Sequence, residues 1–350
     1  MLRILDANLN RIGEALRLLE DISRFLLNDP ALTEELKAMR HELLPRDSRF
    51  QARLLGARRA EEDVGAFLDV SGEGKREDAV SIVAANARRV QQSLRVLEEI
   101  GKTPGQDLGL DWDRVKHARF ALYELEQKIV WKLLRHGKVE QVTGLYLVLD
   151  GGALGGRSDV EVSRQAIAGG AKVIQLRDTQ RGIRELVPIA QELKKLCADS
   201  GILFIVNDYL ELALASDADG LHIGQGDLPL TVARKLLPGD KIVGCSTATL
   251  PEALRAQDEG ADYVAVGSIY PTVSKTGVRP AGLETLRQVK NEISVPVVAI
   301  GGINYCNVAD VIAAGADAVA VINAVLGADD VCEASEQLAV KIEESRGVSE

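Results

Sequence analysis

The 350-residue sequence has no apolar run that approaches the ~20 residues needed to cross a bilayer as a helix. Its first residues, Met1 to Asp6, lead directly into an amphipathic helical pattern. These features argue against a membrane protein and against an exported one. We therefore expect a cytoplasmic protein without a membrane partner.

Cysteine and aromatic residues are also sparse. The sequence contains four scattered cysteines, with no CxxC pair and no histidine at metal-ligand spacing. This pattern argues against a zinc site and a disulfide framework, and it favours reduced cysteines that pack in the core. Aromatic residues make up only 4% of the chain, whereas glycine is plentiful, as in α/β barrels.

The sequence lacks a strongly basic segment. Residues 1–136 carry 23 basic and 23 acidic side chains, so the net charge of −10 belongs to the remainder. A nucleic-acid partner is therefore not expected. The acidic remainder can still bind anions through local arginine, lysine, metal ions and backbone amides.

The length and a change of hydrophobic period predict two domains, residues 1–136 and 137–350. Apolar residues in the first domain recur at spacings of three and four, which predicts four helices. Residues 7–22 resemble residues 85–100 at a constant offset of 78. We interpret this as a duplicated helical hairpin, hence an all-α helical bundle. Its role, whether assembly or handling of a pathway precursor, does not follow from the sequence.

From Thr143 to about residue 343, short runs rich in valine and isoleucine alternate with amphipathic helices. Eight such units in ~200 residues predict an α/β fold, a (β/α)8 TIM barrel. A doubly wound open sheet is the alternative, but no GxGxxG follows the first strand. The predicted strands are Leu145–Leu149, Lys172–Leu176, Leu203–Val206, Gly220–Ile223, Lys241–Gly244, Tyr263–Val266, Val297–Ile300 and Ala318–Val321.

Acidic side chains follow two neighbouring strands of this barrel. Asp208 comes after the third strand and Asp227 after the fourth. Parallel strands joined by a helix end on the same rim, so these carboxylates can converge there. Helix capping is the alternative for each aspartate taken alone. Together on the rim they suit a hard dication such as Mg²⁺ beside an anionic substrate.

Other strand ends supply polar groups that can bind anions. Gln175 and Arg177 share one face at the end of the second strand, Asn207 closes the third, and Ser246 follows the fifth. Each of these residue types can hydrogen-bond a phosphate or an amide. A structural ion pair for Arg177 and a helix cap at the end of the fifth strand are the alternatives.

Two further segments suit phosphate. Residues 267–277 are too long for a plain βα turn, and Thr272, Ser274 and Lys275 suit a mobile lid that grasps phosphate. Gly302 follows the seventh strand, beside the end of the eighth, which fits the phosphate cup common in barrels. The rim therefore predicts two phosphorylated ligands, one a metal-bound diphosphate and one a monophosphate.

These residues resemble thiamine-phosphate synthase over roughly Thr143 to Lys341. The motifs, in order, are QLRD, VND, GLHIGQGDLP, GCST, GADYVAVGSIYPTVSKTG, VPVVAIGGI and GADAVAVI. The resemblance implies condensation of an aminopyrimidine methyl diphosphate with a thiazole phosphate, release of pyrophosphate, and Mg²⁺ as the cofactor. The first domain looks like the helical extension found on some members, and a homo-oligomer is compatible with it.

The resemblance also implies a role for each matching residue. Gln175 would read the pyrimidine, and Asp208 and Asp227 would hold Mg²⁺. Arg177, Ser246 and Lys275 would be catalytic. The remaining substrate contacts would come from Asn207 at the diphosphate, Thr272 and Ser274 in the lid, and Gly302, Ile322 and Asn323 at the monophosphate.

Two positions depart from the family pattern. Thr179 stands where the family usually has a lysine, and Asn323 where a serine is common. Loss of the lysine removes one diphosphate cation, so two alternatives stay open. One is a thiazole tautomerase, for which a proton-shuttling histidine on the rim is expected and not found in the sequence. The other is a regulatory paralogue that binds thiazole phosphate without catalysis.

Overall fold

A computed structural model describes residues 1–45, 47–58, 76–103, 110–271 and 281–347. Contacts divide the chain into two compact units, Met1–Leu134 and Arg135–Glu350. Each unit contains its own core of buried apolar side chains. The boundary predicted after residue 136 falls within a helix that runs from Trp112 to Glu140.

The first unit is helical. Its helices are α1 (Leu2–Asp21), α2 (Pro30–Leu43), α3 (Ser48–Gly56), α4 (Ala79–Gly101) and α5 (Trp112–Glu140), with one π-helical turn at Ile22–Leu26. The predicted all-α region before the barrel is therefore confirmed. The apolar stripe of α1 is fully buried, because Leu5, Ile12 and Leu16 recur on one face and pack against α2 and α4.

Helix α3, Ser48–Gly56, is a fifth helix beyond the four that the sequence predicts. The Asp47 side chain caps the helix by accepting a hydrogen bond from the Arg49 amide at 2.9 Å. Phe50 and Leu54, four residues apart, bury one side of the short helix. Two buried apolar residues in nine are too few for a clear helical period in sequence.

The helices that share sequence at an offset of 78 also share an ion pair. Glu20 on α1 accepts a hydrogen bond from Arg40 on α2 at 2.9 Å. Glu98 on α4 accepts one from Arg119 on α5 at 2.6 Å. Both glutamates are buried or nearly so. The glutamates correspond at the offset of 78, whereas the arginines are 79 positions apart, so the duplicated hairpin stays a prediction.

The second unit contains eight parallel strands in a closed barrel, in the order β1 to β8. The predicted (β/α)8 fold is confirmed. The strands are β1 (Gly144–Asp150), β2 (Ala171–Arg177), β3 (Leu203–Asn207), β4 (Gly220–Ile223), β5 (Ile242–Thr247), β6 (Tyr263–Gly267), β7 (Val297–Ile300) and β8 (Ala318–Val321). The helices are α6 (Asp159–Ala168), α7 (Ile183–Asp199), α8 (Leu210–Ala215), α9 (Leu230–Leu236), α10 (Leu250–Asp258), α11 (Gly282–Glu292), α12 (Val308–Ala313), α13 (Asn323–Leu326) and α14 (Val331–Gly347).

Side chains of each strand alternate between the barrel interior and the surrounding helices. On β1, for example, Tyr146 and Val148 belong to the interior cluster, whereas Leu145, Leu147 and Leu149 pack under the helices. All eight strands run the same way, so their carboxyl ends form one rim. No helix in the described ranges is both long enough and apolar enough to span a membrane.

Candidate active site

A cavity of about 890 Å³ opens at the carboxyl ends of the strands. Eight of the residues predicted from sequence line it, namely Gln175, Arg177, Asn207, Asp227, Ser246, Gly302, Ile322 and Asn323. Asp208 lies beside the cavity and interacts with Asp227. The predicted lid residues Thr272, Ser274 and Lys275 lie outside the described residues.

Asp208 and Asp227 share one small space on the rim. Asp208 follows β3 with a φ of 61°, and its amide donates to the carbonyl of His222 on β4 at 2.8 Å. Burial, then hydrogen bonding and charge repulsion with Asp227, raise the pKa of Asp208 to about 6, while Arg177 opposes that shift. The Asp227 carboxylate accepts a hydrogen bond from the Gly224 amide at 2.7 Å. The pair is a concentration of negative charge that a cation would stabilise.

Arg177 ends β2 and forms an ion pair with Asp150, which ends β1. The two residues are register partners across the β1–β2 ladder. Asp150 also accepts a hydrogen bond from the Gly152 amide at 3.0 Å, so the carboxylate is fixed and in turn fixes the guanidinium. Sequence interpretation missed Asp150, although the rule that found the other strand-end residues applies to it equally.

Gln175 lies two residues before Arg177, on the same face of β2. The residue is only 4% exposed, and it lines the cavity. A side-chain amide can both donate and accept hydrogen bonds there. Gln175 is therefore placed to hydrogen-bond a polar ligand.

Ser246 on β5 receives support from a residue that sequence interpretation missed. The Nε2 atom of His222 lies 2.9 Å from the Ser246 hydroxyl, and its Nδ1 atom lies 3.1 Å from the hydroxyl of Tyr263. His222 also lines the cavity. His222 was missed as a cavity residue because it lies within β4 instead of following that strand.

Gly301 and Gly302, after β7, both have positive φ, at 103° and 67°. A Cβ atom on Gly302 would lie 2.7 Å from the Pro271 carbonyl oxygen. Only glycine therefore fits this conformation and close approach. Gly302 and Ile322 line the cavity together, so backbone from β7 and β8 forms part of its wall.

Thr179, which replaces the lysine usual in the family, is exposed in the loop after β2. Arg181 nearby does not substitute for that lysine, because it bonds Asp178 and Asp159 at 2.7–2.8 Å. Among the described residues, Arg177 is the one lysine or arginine that lines the cavity. Among the described residues, binding of an anion therefore depends on Arg177 and on neutral hydrogen-bond donors.

Comparison with known proteins agrees with the architecture of both units. The family model described as "Thiamine monophosphate synthase" matches residues 145–325, and the "ThiD2 family" model matches residues 3–128. A thiamine-phosphate synthase of Synechocystis sp. is 40% identical over 340 residues, which cover 97% of this chain and 96% of that protein. That alignment spans both units.

Shorter relatives match the barrel alone. A thiamine-phosphate synthase of Moorella thermoacetica is 51% identical over 204 residues, 58% of this chain and 97% of that protein. The solved structure of a thiamine phosphate pyrophosphorylase from Pyrococcus furiosus has 40% identity and a TM-score of 0.55, and the match covers 59% of this chain and 98% of that one. The chain therefore belongs to the thiamine-phosphate synthase family and is a transferase of thiamine phosphate synthesis.

Proposed function

We propose that the cavity condenses 4-amino-2-methyl-5-pyrimidinylmethyl diphosphate with thiazole phosphate by dissociative displacement. The bond between the pyrimidine methylene carbon and the diphosphate oxygen breaks first, and its electron pair leaves with pyrophosphate. The electron-rich aminopyrimidine ring stabilises the methylene cation. The lone pair of the thiazole nitrogen then forms the new carbon–nitrogen bond, which gives thiamine phosphate. No protein nucleophile is needed.

The observation that carries this proposal is the convergence of Arg177 with the Asp208–Asp227 pair on one rim. A cation next to paired carboxylates suits a ligand that is itself an anion and brings a metal ion with it. In this proposal Arg177, Ser246 and Asn207 donate hydrogen bonds to the diphosphate. We propose that Lys275, which lies outside the described residues, supplies a second positive charge to the leaving diphosphate.

The residues present fit Mg²⁺. Burial raises the pKa of Asp208 most, and hydrogen bonding and charge repulsion with Asp227 add to it; a dication would relieve that repulsion. The described ranges contain no group of three or more histidine, cysteine or acidic side chains placed to hold a metal. That agrees with Mg²⁺, which typically takes one or two carboxylates plus substrate phosphates and water. When bound between Asp208 and Asp227, it would neutralise charge on the departing diphosphate.

The remaining residues bind and orient the two substrates. Gln175 donates and accepts hydrogen bonds with the aminopyrimidine, which directs the methylene carbon towards the cavity. The backbone of Gly302 and Ile322, with Asn323 beside it, holds the monophosphate of the thiazole at the opposite side of the barrel mouth. A large share of the rate enhancement comes from holding both substrates in reacting geometry.

The tautomerase alternative is weaker for a reason that the sequence did not supply. His222 does line the cavity, but both ring nitrogens already have partners in Tyr263 and Ser246. In the proposed function these contacts make His222 a residue that orients Ser246, and the Asp208–Asp227 pair favours the synthase over the tautomerase. One observation still favours the regulatory alternative, namely that position 179 is a threonine where a lysine is expected.

For the helical unit we propose a role in homo-oligomer assembly or in handling the pyrimidine phosphate precursor. The support is that a relative aligns over both units, whereas others contain the barrel alone. Sedimentation equilibrium of the full chain, together with precursor binding by calorimetry, tests the two parts. A monomer that does not bind the precursor would contradict the proposal.

The decisive test of the reaction is product formation by purified protein. With both phosphorylated substrates and Mg²⁺, we expect thiamine phosphate and pyrophosphate in equal amounts, and chelation of the metal should stop the reaction. Asp199→Asn is a matched control, because Asp199 is exposed at the end of α7 and forms an ion pair with Lys195 at the surface. Metal-independent turnover would contradict the proposed role of Asp208 and Asp227.

A further inference from the structure

Four side chains form a continuous hydrogen-bonded row through the barrel interior. The Tyr146 hydroxyl on β1 lies 3.0 Å from the Tyr263 hydroxyl on β6. The Tyr263 hydroxyl lies 3.1 Å from Nδ1 of His222 on β4, and His222 Nε2 lies 2.9 Å from Ser246 Oγ on β5. Tyr146, Tyr263 and His222 are buried, whereas Ser246 lines the cavity. The row therefore runs from the sealed core to the proposed diphosphate site.

Proton counting restricts how this row can be arranged. Two phenols, one neutral imidazole and one hydroxyl provide four protons for three links, so one proton is left at an end. In one direction, the unused proton belongs to Tyr146. In the other, it belongs to Ser246 and faces the cavity.

The buried end decides between the two directions. Within the described residues, Tyr263 is the one hydrogen-bond partner of the Tyr146 hydroxyl. A Tyr146 proton directed away from Tyr263 would thus be buried without an acceptor, which is the costly arrangement. Burial raises the pKa of both phenols above their ordinary value, so both keep their protons. The favoured order is Tyr146 donating to Tyr263, and Tyr263 donating to His222 Nδ1.

We propose that Tyr146 and Tyr263 hold His222 in the tautomer with its proton on Nε2, and that His222 thereby fixes Ser246 as a hydrogen-bond donor to the substrate diphosphate. His222, Tyr263 and Tyr146 are positioning residues, because they act through Ser246 and do not touch the reacting atoms. The inference rests on the proposed function, since it takes the ligand of Ser246 to be the diphosphate. It assigns a task to a histidine and two tyrosines that the reaction itself does not require.

The geometry also predicts which substrate is affected. Ser246 serves the diphosphate, whereas the monophosphate lies against the backbone of Gly302 and Ile322 in the proposed arrangement. Loss of the row should therefore lower kcat and weaken binding of the pyrimidine diphosphate. The KM for thiazole phosphate should stay within about twofold of the wild-type value, because a change at one site has little effect on a well-separated site.

A double-mutant cycle tests the coupling. We expect His222→Leu and Ser246→Ala each to lower kcat by at least about tenfold, the value of one hydrogen bond to a charged group. The double variant should be no worse than Ser246→Ala alone, because His222 acts through that hydroxyl. His222→Gln, which keeps an N–H near the Nε2 position, should recover part of the loss. Losses that multiply in the double variant would overturn the inference while leaving the proposed reaction intact.

The tautomer itself can be measured in the wild-type protein. The chain has only four histidines, so ¹⁵N spectra of histidine-labelled protein can be assigned by comparison with His222→Leu. We expect the His222 proton on Nε2, both in the free protein and with Mg²⁺ and inorganic pyrophosphate added. Tyr263→Phe, which removes the donor to Nδ1, should populate the other tautomer. A wild-type proton on Nδ1 would overturn the inference, even if the enzyme proved to use another substrate.

Discussion

Asp150, the last residue of β1, accepts a hydrogen bond from the guanidinium of Arg177, its register partner at the end of β2. Arg177 is the cation that lines the cavity within the described ranges, and the ion pair with Asp150 sets the direction of its side chain. In the proposed reaction, binding of the diphosphate would therefore depend on a carboxylate that would repel the ligand if it stood alone. The pair makes Arg177 a directed donor and not a freely moving charge.

We expect Asp150→Asn to raise the KM for the pyrimidine diphosphate by roughly two- to fivefold, the size of a partly exposed ion pair. Asparagine keeps an oxygen to accept the Gly152 amide, so the local turn should persist. Steady-state kinetics with each substrate varied separately provide the measurement. An equal rise in both KM values would mean that the change disturbs the rim as a whole.

The raised pKa of Asp208 predicts a pH-dependent stability in the absence of metal. A carboxyl that holds its proton more tightly when folded destabilises the folded state as pH rises from the ordinary pKa of 3.8 to the raised pKa of about 6. Asp208→Asn should thus raise the unfolding temperature at pH 7.5, with a gain that shrinks as pH falls through 6 to 4. Asparagine also tolerates the φ of 61° at this position. Calorimetric melting in chelator, with Asp199→Asn as the control, checks the slope. A pH-independent gain would contradict the shared-charge account.

Thr179→Lys should strengthen the diphosphate grip, because it restores a cation at the position where the family usually has one. An added charge-assisted hydrogen bond predicts a KM for the pyrimidine diphosphate lower by up to about tenfold. Thr179→Met is the matched control, since it has similar length without charge. If both variants gave the same kinetics, position 179 would not face the diphosphate in this protein.

Gly302→Ala should damage both stability and monophosphate binding. The positive φ alone costs about 1–2 kcal/mol for alanine. The new methyl would in addition meet the Pro271 carbonyl oxygen at 2.7 Å. Gly201 has a nearly identical φ of 68° with nothing within 4 Å, so Gly201→Ala isolates the strain. We expect urea unfolding to show a larger loss for Gly302→Ala, and a raised KM for thiazole phosphate in that variant only.

The barrel was predictable because its strands are β-branched runs with glycine or aspartate at their ends. The bounds predicted for β4, β7 and β8 agree with the structure to the residue, and other strands differ by one or a few residues. Rim residues were predictable by the same logic, since parallel strands place their carboxyl ends together. The chemistry that follows a strand is therefore visible in sequence.

Side-chain contacts between strands in the barrel interior were not predictable. The contact of His222 with Ser246 depends on the pairing of β4 with β5, and the contact with Tyr263 on the barrel's interior alternation. Neither relation has a sequence signature, because the residues are 24 and 41 positions apart. In the helical unit, Asn8 and Asn86 are 78 positions apart. Each is buried, and each donates to the carbonyl four residues earlier in its own helix.

The most direct test of the account is turnover by Asp227→Ala beside the wild type, with both substrates and with Mg²⁺ varied. We expect metal-dependent formation of thiamine phosphate and pyrophosphate by the wild type. The variant should lose that turnover, yet bind thiazole phosphate with a Kd close to that of the wild type. Full turnover by Asp227→Ala, or wild-type binding of thiazole phosphate without any product, would contradict the account.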